Sequence, residues 1–189
     1  ITINGTTNTI GGLAAGGLPD ACIQEVDLAA GVNTITQIDE WNLHTQLTGN
    51  ADPLTNLERN DTQFALIGSG MSETSSNSGI FTFPETGIYH ILAQAGFKHT
   101  SAAEYHEMNV WYSTNSGGAW SKLTDTLTSQ SNSSGTYYTS TFQNGILDVT
   151  DESEFQMKLV IAHDDTSSYT LASTSRKLTG FTVIRLGDT

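Results

Sequence analysis

The sequence predicts an all-β protein built as two antiparallel sheets packed face to face. Three observations carry that expectation. Short runs alternate apolar with polar residues, the period of a half-buried strand. Clusters of Gly, Asn, Ser and Pro separate these runs at the spacing usual in sandwiches, giving about nine or ten strands. No helical pattern of normal length interrupts them, and Thr, Ser, Gly and Asn abound where Lys and Arg are scarce.

Residues 1–31 stand apart as a glycine-rich neck or linker, ahead of a single domain over 32–189. Gly11-Gly12-Leu13-Ala14-Ala15-Gly16-Gly17-Leu18-Pro19-Asp20 lacks strand alternation and also lacks the G-x-G-x-x-G of a dinucleotide loop. Cys22, Val26 and Ala29 fall at helical offsets before Gly31, which fits one or two helical turns. The neck reading has it pack against its own copies in an oligomer; the linker reading leaves it without partners. The chain starts at Ile1 rather than Met, as expected of a processed or cut product.

From Asn33 the pattern becomes β. Thr34–Thr36 and Trp41–Leu47 alternate, Gly49–Pro53 is a turn cluster, and Leu54–Leu66 offers a strand around Leu57 and Phe64. Gly68 to Ser78 reads as loop. Ile80–Phe83 is a strand that Pro84, lacking an N–H, should end. Gly87 supplies the positive φ of a sharp corner, and Ile88–Phe97 resumes with Tyr89 and Ile91 on one face and Ile88 and Leu92 on the other. After a polar loop at His99–Glu104, Glu107–Thr114 and a strand around Trp120–Leu123 form a hairpin across Asn115–Gly118. Ser129–Gly135 is a loop, Thr136–Gln143 a strand turned by Asn144-Gly145, and Phe155–Ala162 and Gly180–Leu186 close the domain.

Composition excludes several classes. With 20 acidic against 7 basic residues, a net charge of −13, the chain should repel nucleic acid and anionic membrane surfaces. One cysteine allows no intrachain disulfide, and no stretch approaches the ~20 apolar residues of a membrane span. His106-Glu107-Met108-Asn109-Val110 begins like a zinc-protease phrase but puts Val110 where the second His is needed. His90, His99, His106 and His163 are scattered along the chain and read as solvated or locally bonded, although a ring of His around a symmetry axis would suit a metal or an anion. No nucleophile elbow or P-loop is present, so catalysis and cofactors are not expected. The acidic turn of Asp148, Asp151, Glu152 and Glu154 is the place for calcium, against the plainer reading of a solvated turn.

Phe81, Gly87 and Tyr89 fall on the pattern Phe-x5-Gly-x-Tyr-x-Phe, with Ile91 in place of the last aromatic. Leu147–Met157 is similar to an acidic turn leading into a strand, and Leu178–Ile184 to a closing strand, in the same order. Together these stretches resemble the complement globular-head and tumour-necrosis-factor superfamily. The resemblance implies a jelly-roll sandwich assembled as a homotrimer, with Tyr89, Ile91 and Phe181 on or near the inner sheet or at the trimer interface. The glycine-rich opening resembles segments of bacteriophage tail-fibre and other virion proteins. From it follows the expectation of a non-enzymatic fibre tip, head fibre or decoration module on the virion surface, contacting other virion proteins and host-surface polysaccharide. Its recognition loops would hold Ser75, Asn132, Ser133, Asp165 and Tyr169. The alternatives are a secreted cytokine- or complement-like ligand with a protein receptor, and a carbohydrate-active enzyme on the same sandwich.

Overall fold

The computed structural model describes residues 2–4, 9–11, 35–60, 63, 66–100, 103–130 and 135–189. The chain divides into two compact units, Ile1–Thr34 and Ile35–Thr189. In the first, β1 (Thr2–Asn4) pairs antiparallel with β2 (Thr9–Gly11), a hairpin that the linker reading does not anticipate. The glycine-rich run from Gly12 onward, Cys22 and the short helix expected after it lie outside the described residues.

The second unit is all β among its described residues. Its strands are β3 (Ile38–Leu43), β4 (Leu47–Thr48), β5 (Leu57–Arg59), β6 (Ser72–Glu73), β7 (Ile80–Thr82), β8 (Gly87–His99) and β9 (Ala103–Ser113). They continue as β10 (Ser121–Gln130), β11 (Tyr137–Val149), β12 (Gln156–His163), β13 (Tyr169–Thr170) and β14 (Gly180–Gly187). The larger sheet runs β4-β13-β8-β14-β3-β5, with β11 along the other edge of β8; the smaller runs β10-β9-β12-β7-β6. Every pairing is antiparallel, so the expected two-sheet jelly roll is the observed architecture.

β8 is the spine of the larger sheet. Tyr89, Ile91, Ala93, Ala95 and Phe97 alternate inward and are at most 1% exposed, while Ile88, His90, Leu92, Gln94 and Lys98 turn outward. Phe81 and Phe83 from β7 and its end, Met108 and Val110 from β9, Met157, Leu159 and Ile161 from β12, and Phe181 and Val183 from β14 complete the core. Phe81 meets Trp41 and Phe181 edge-on at ring separations of 4.8 and 4.9 Å, a geometry that aligns ring edges with ring faces. The corner before β8 is as expected: β7 stops at Thr82, ahead of Pro84, and Gly87 has φ +148°. A Cβ at Gly87 would lie 2.5 Å from Arg185 Nε and 2.7 Å from the Gly187 carbonyl, so the corner needs glycine for space as well as for torsion.

Some expected boundaries shift. Asn144-Gly145 is no turn: β11 runs through it, pairing Asn144 with Leu92 and Gly145 with Ile91. A Cβ on Gly145 would sit 3.0 Å from Leu123 and Thr124 of β10, so this glycine marks a close approach of two strands. β10 continues to Gln130, well past Leu123, and β8 and β9 extend into the expected polar loop. Ile35 precedes β3, which ends at Leu43 rather than running on to Leu47. Leu57 lies in β5, and Phe64 is outside the described residues.

Candidate interaction surface

The outward positions of β11 are Tyr138, Ser140, Phe142, Asn144, Ile146 and Asp148, all exposed. Three of them are large and apolar: Tyr138 at 66%, Phe142 at 56% and Ile146 at 54% exposure. Register builds these into a patch. Ile146 lies opposite His90, which on its other side pairs with Ile184 of β14, and Ile184 pairs in turn with Ile38 of β3. Phe142 lies opposite Gln94, beside a hollow of about 280 Å³ that Ser140, Thr141 and Leu178 help to line. Charge is confined to the margins of this face. Lys98 and Asp148 mark the two ends of the β8–β11 ladder. Glu40 is neutralised by Lys177 at 2.7 Å; burial alone would raise its carboxyl, but hydrogen bonds from Lys177, Asn60 and Thr182 hold it below its usual value.

The smaller sheet presents a different exterior. Lys122 pairs with Glu107 and Asp125 at 3.2 and 3.1 Å and lies 5.6 Å from the Trp111 ring. Lys158 pairs with Asp52 and lies 4.6 Å from the Trp120 ring. Ion pairs over tryptophan rings thus mark this exterior, with Leu127 of β10 its one large apolar side chain among those more than half exposed, whereas three such side chains line β11.

A polar groove of about 450 Å³ opens at the β3–β5 margin, lined by Trp41, Asn56, Leu57, Glu58, Arg59, Glu73, Ser76 and Asn77. Asn56 and Asn77 both have positive φ and lock together, the Asn56 N–H donating to Asn77 Oδ1 at 2.5 Å. The indole offers no free stacking platform: Arg59 lies over it at 4.8 Å, and Phe81 and Phe181 pack against it from the core. Arg59 is held by the 2%-exposed Asp39, which accepts from Arg59 Nε and Trp41 Nε1 and from the Met71 N–H, each at 2.8 Å.

The expected site residues separate into different places. Tyr89, Ile91 and Phe181, expected on or near the inner sheet or at the trimer interface, lie on the larger sheet and face the sandwich interior at 0, 1 and 0% exposure. The parity of β8 puts Ile88, His90 and Leu92 on the outer face. Tyr89 Oη donates to the Glu85 carbonyl at 2.8 Å; burial, then the Glu85 charge, pushes its phenol up to about 12. Ser75 is exposed beside Ser76 and Asn77 of the groove. Tyr169 lies in β13 with Lys98 Nζ 5.2 Å from its ring centre. Asn132 and Ser133 lie outside the described residues. In the acidic turn, Asp151 accepts from the N–H and Oγ of Ser153, which hold its carboxyl below the usual range, and Glu154 accepts from Ser116. Among the described residues, no three His, Cys, Asp or Glu side chains are placed to share a metal ion.

The histidines are where sequence reading falls short. His99, His106 and His163 are 1, 0 and 3% exposed, not solvated, and His106 and His163 meet Nδ1 to Nδ1 at 2.8 Å. Strand parity carried the signal: His106 shares its face with Met108 and Val110, and His163 with Leu159 and Ile161. His99, Ser167 and Asp165 have the residue types of a hydrolytic triad. Both Ser167 Oγ and Asp165 Oδ2 approach the same Nε2, at 2.9 and 3.3 Å, so the carboxylate does not orient the ring from Nδ1 as a triad requires.

No family model matches the chain, and no curated protein sequence does either. Solved structures do. The structure of Eiger TNF from S. frugiperda is similar at 13% identity and a TM-score of 0.61, over 82% of this chain and 96% of that one. Murine APRIL at pH 8.0 is similar at 14% identity and a TM-score of 0.53, over 79% and 98%. Murine APRIL at pH 5.0 gives 13% identity and a TM-score of 0.56 over the same shares. At such identity the likeness establishes the fold, a tumour-necrosis-factor-like jelly roll.

Proposed function

We propose that this chain is a non-catalytic binding module that assembles as a homotrimer through the outer face of its larger sheet and presents its loops to a macromolecular partner. The strip of Tyr138, Phe142 and Ile146, continued by Ile184, carries this reading. On a chain of net charge −13, identical copies repel, and a charge-poor face is where they approach at least electrostatic cost. Burying that strip returns about 25 cal/mol for each Å² of apolar surface removed from water. Three copies display each loop three times, so weak contacts gain strength by avidity.

The fold shared with Eiger TNF and APRIL supports a secreted ligand that meets a protein receptor. The glycine-rich opening supports a second setting, a bacteriophage virion on which the same trimer contacts host-surface polysaccharide. Light scattering at micromolar concentration tests the assembly: three times the chain mass is expected, and a monomer sinks the reading. Immunogold labelling of particles, set against receptor capture from cell surfaces, separates the two settings.

A further inference from the structure

We propose that the groove at the β3–β5 margin is a strand-addition site, which takes an extended, lysine- or arginine-bearing segment of a partner protein between the edge strands β5 and β6. The ladders show which main-chain groups are on offer. The His44 N–H donates to the Asn56 carbonyl and the Asn60 N–H to the Glu40 carbonyl, in the same register that pairs Asn42 with Glu58. Antiparallel pairs alternate between bonded and non-bonded, so Leu57 and Arg59 turn their N–H and C=O groups away from β3, toward the sheet edge. On β6 the Thr74 N–H donates to the Ile80 carbonyl, in the register that pairs Glu73 with Phe81. By the same alternation the main chain of Glu73 turns away from β7. Among the described residues, nothing takes up these groups at Leu57, Arg59 or Glu73. All three residues line the groove.

Met71, two residues before Glu73, shows how this edge engages a partner. Its N–H donates to Asp39 Oδ2 at 2.8 Å, and its carbonyl accepts from Arg59 Nη2 at 2.7 Å. The remaining wall is held by its own bonds. The Glu73 carboxylate accepts from the Asn77 and Gly79 N–H groups at 2.8 and 2.9 Å, and Asn77 is locked to Asn56. An incoming strand therefore meets edges already fixed in place, which lowers the entropy lost on binding. At about 450 Å³ the groove falls within the range of roughly 300–1,000 Å³ usual for ligand sites. Charge selects the occupant. Asp39 neutralises Arg59, so Glu58, which contacts His44 at 2.9 Å, and Glu73 leave the rim negative on a chain of net charge −13. A sugar would call for a bare indole face, but Arg59 covers Trp41, and main-chain pairing with a peptide is the chemistry that fits. The site rests on the reading of this chain as a binding module but not on its assembly: β8, β14 and β3 separate β5 from the apolar strip on β11.

A library of capped peptides of about eight residues, alternating Thr with Val and each carrying one Lys, tests this on the intact protein. A matched library with Glu for Lys, and one N-methylated at alternate amides, serve as controls. The lysine peptides should slow amide exchange at Leu57, Arg59 and Glu73 by about tenfold, and the methylated set should bind about tenfold more weakly. Glu58→Lys, at an exposed position, should reverse the preference toward the glutamate peptides. Phe142→Glu should bind the lysine peptides as the wild type does, while light scattering on the same sample reads the assembly separately. No protection at the three amides by any lysine peptide, equal binding of the methylated set, or a lysine preference that survives Glu58→Lys overturns the proposal. Cellohexaose protecting those amides where the peptides do not would overturn it as well.

Discussion

Gly87 and Gly180 both sit where the backbone adopts positive φ, at +148° and +153°, but an added methyl meets different obstacles. At Gly180 it falls 2.0 Å from the Trp41 carbonyl, a backbone atom of the paired strand; at Gly87 the nearest atom belongs to the movable Arg185 side chain. Gly180→Ala should therefore destabilise more than Gly87→Ala, with each costing about 1–3 kcal/mol or more in urea denaturation. A reversed order would show that the β14 edge yields more easily than the corner. Asp39 is a second fixed point. Asp39→Ala leaves Arg59, Trp41 Nε1 and the Met71 N–H without their acceptor and should cost about 3 kcal/mol. For Tyr89 the sign runs toward alkali: a phenol raised from 10 to about 12 keeps its stabilisation below pH 10 and loses it as pH climbs to 12. Absorbance at 295 nm followed with denaturant midpoints should show one tyrosine ionising together with unfolding.

Among the strands, β11 does two things at once. Its inward residues Gln143, Leu147 and Val149 belong to the interior, and its outward residues form the exposed strip. Phe142 is 56% exposed and lies outside the buried core, so Phe142→Glu should leave the far-UV circular dichroism of the folded chain unchanged. The same substitution should convert a trimer to a monomer in light scattering, because three carboxylates would then enter an apolar interface. A Phe142→Glu protein that stays trimeric places the interface on another face. β11 also shows how far local reading reaches. Asn144-Gly145 is a strong turn phrase by itself, and only the approach of β10 explains why a straight strand keeps a glycine there.

At the scale of the molecule, charge and assembly act against each other. With −13 per chain, a trimer concentrates like charge, and the charge-poor face does not cancel that long-range repulsion. Association should accordingly tighten as salt rises from low to physiological ionic strength, where the Debye length falls to about 8 Å. Sedimentation across a salt series measures this; a trimer loosened by salt would point instead to ion pairs at the interface.

Residues close in the chain disclosed their roles without coordinates. Phe81, Pro84, Gly87 and Tyr89 spell the corner within nine positions because strand, stop, reversal and strand are local steric facts, and alternation along β8 divided its side chains between two faces. Three-dimensional packing alone decided which inward face meets which. His106 and His163 stand 57 positions apart and touch only because β9 and β12 pair in one register; a shift of one residue would send each to the opposite face. In the other sheet, the pairing of β8 with β11 and with β14 put Ile146, His90 and Ile184 side by side on the exterior, a neighbourhood made of three strands that no single stretch of sequence contains.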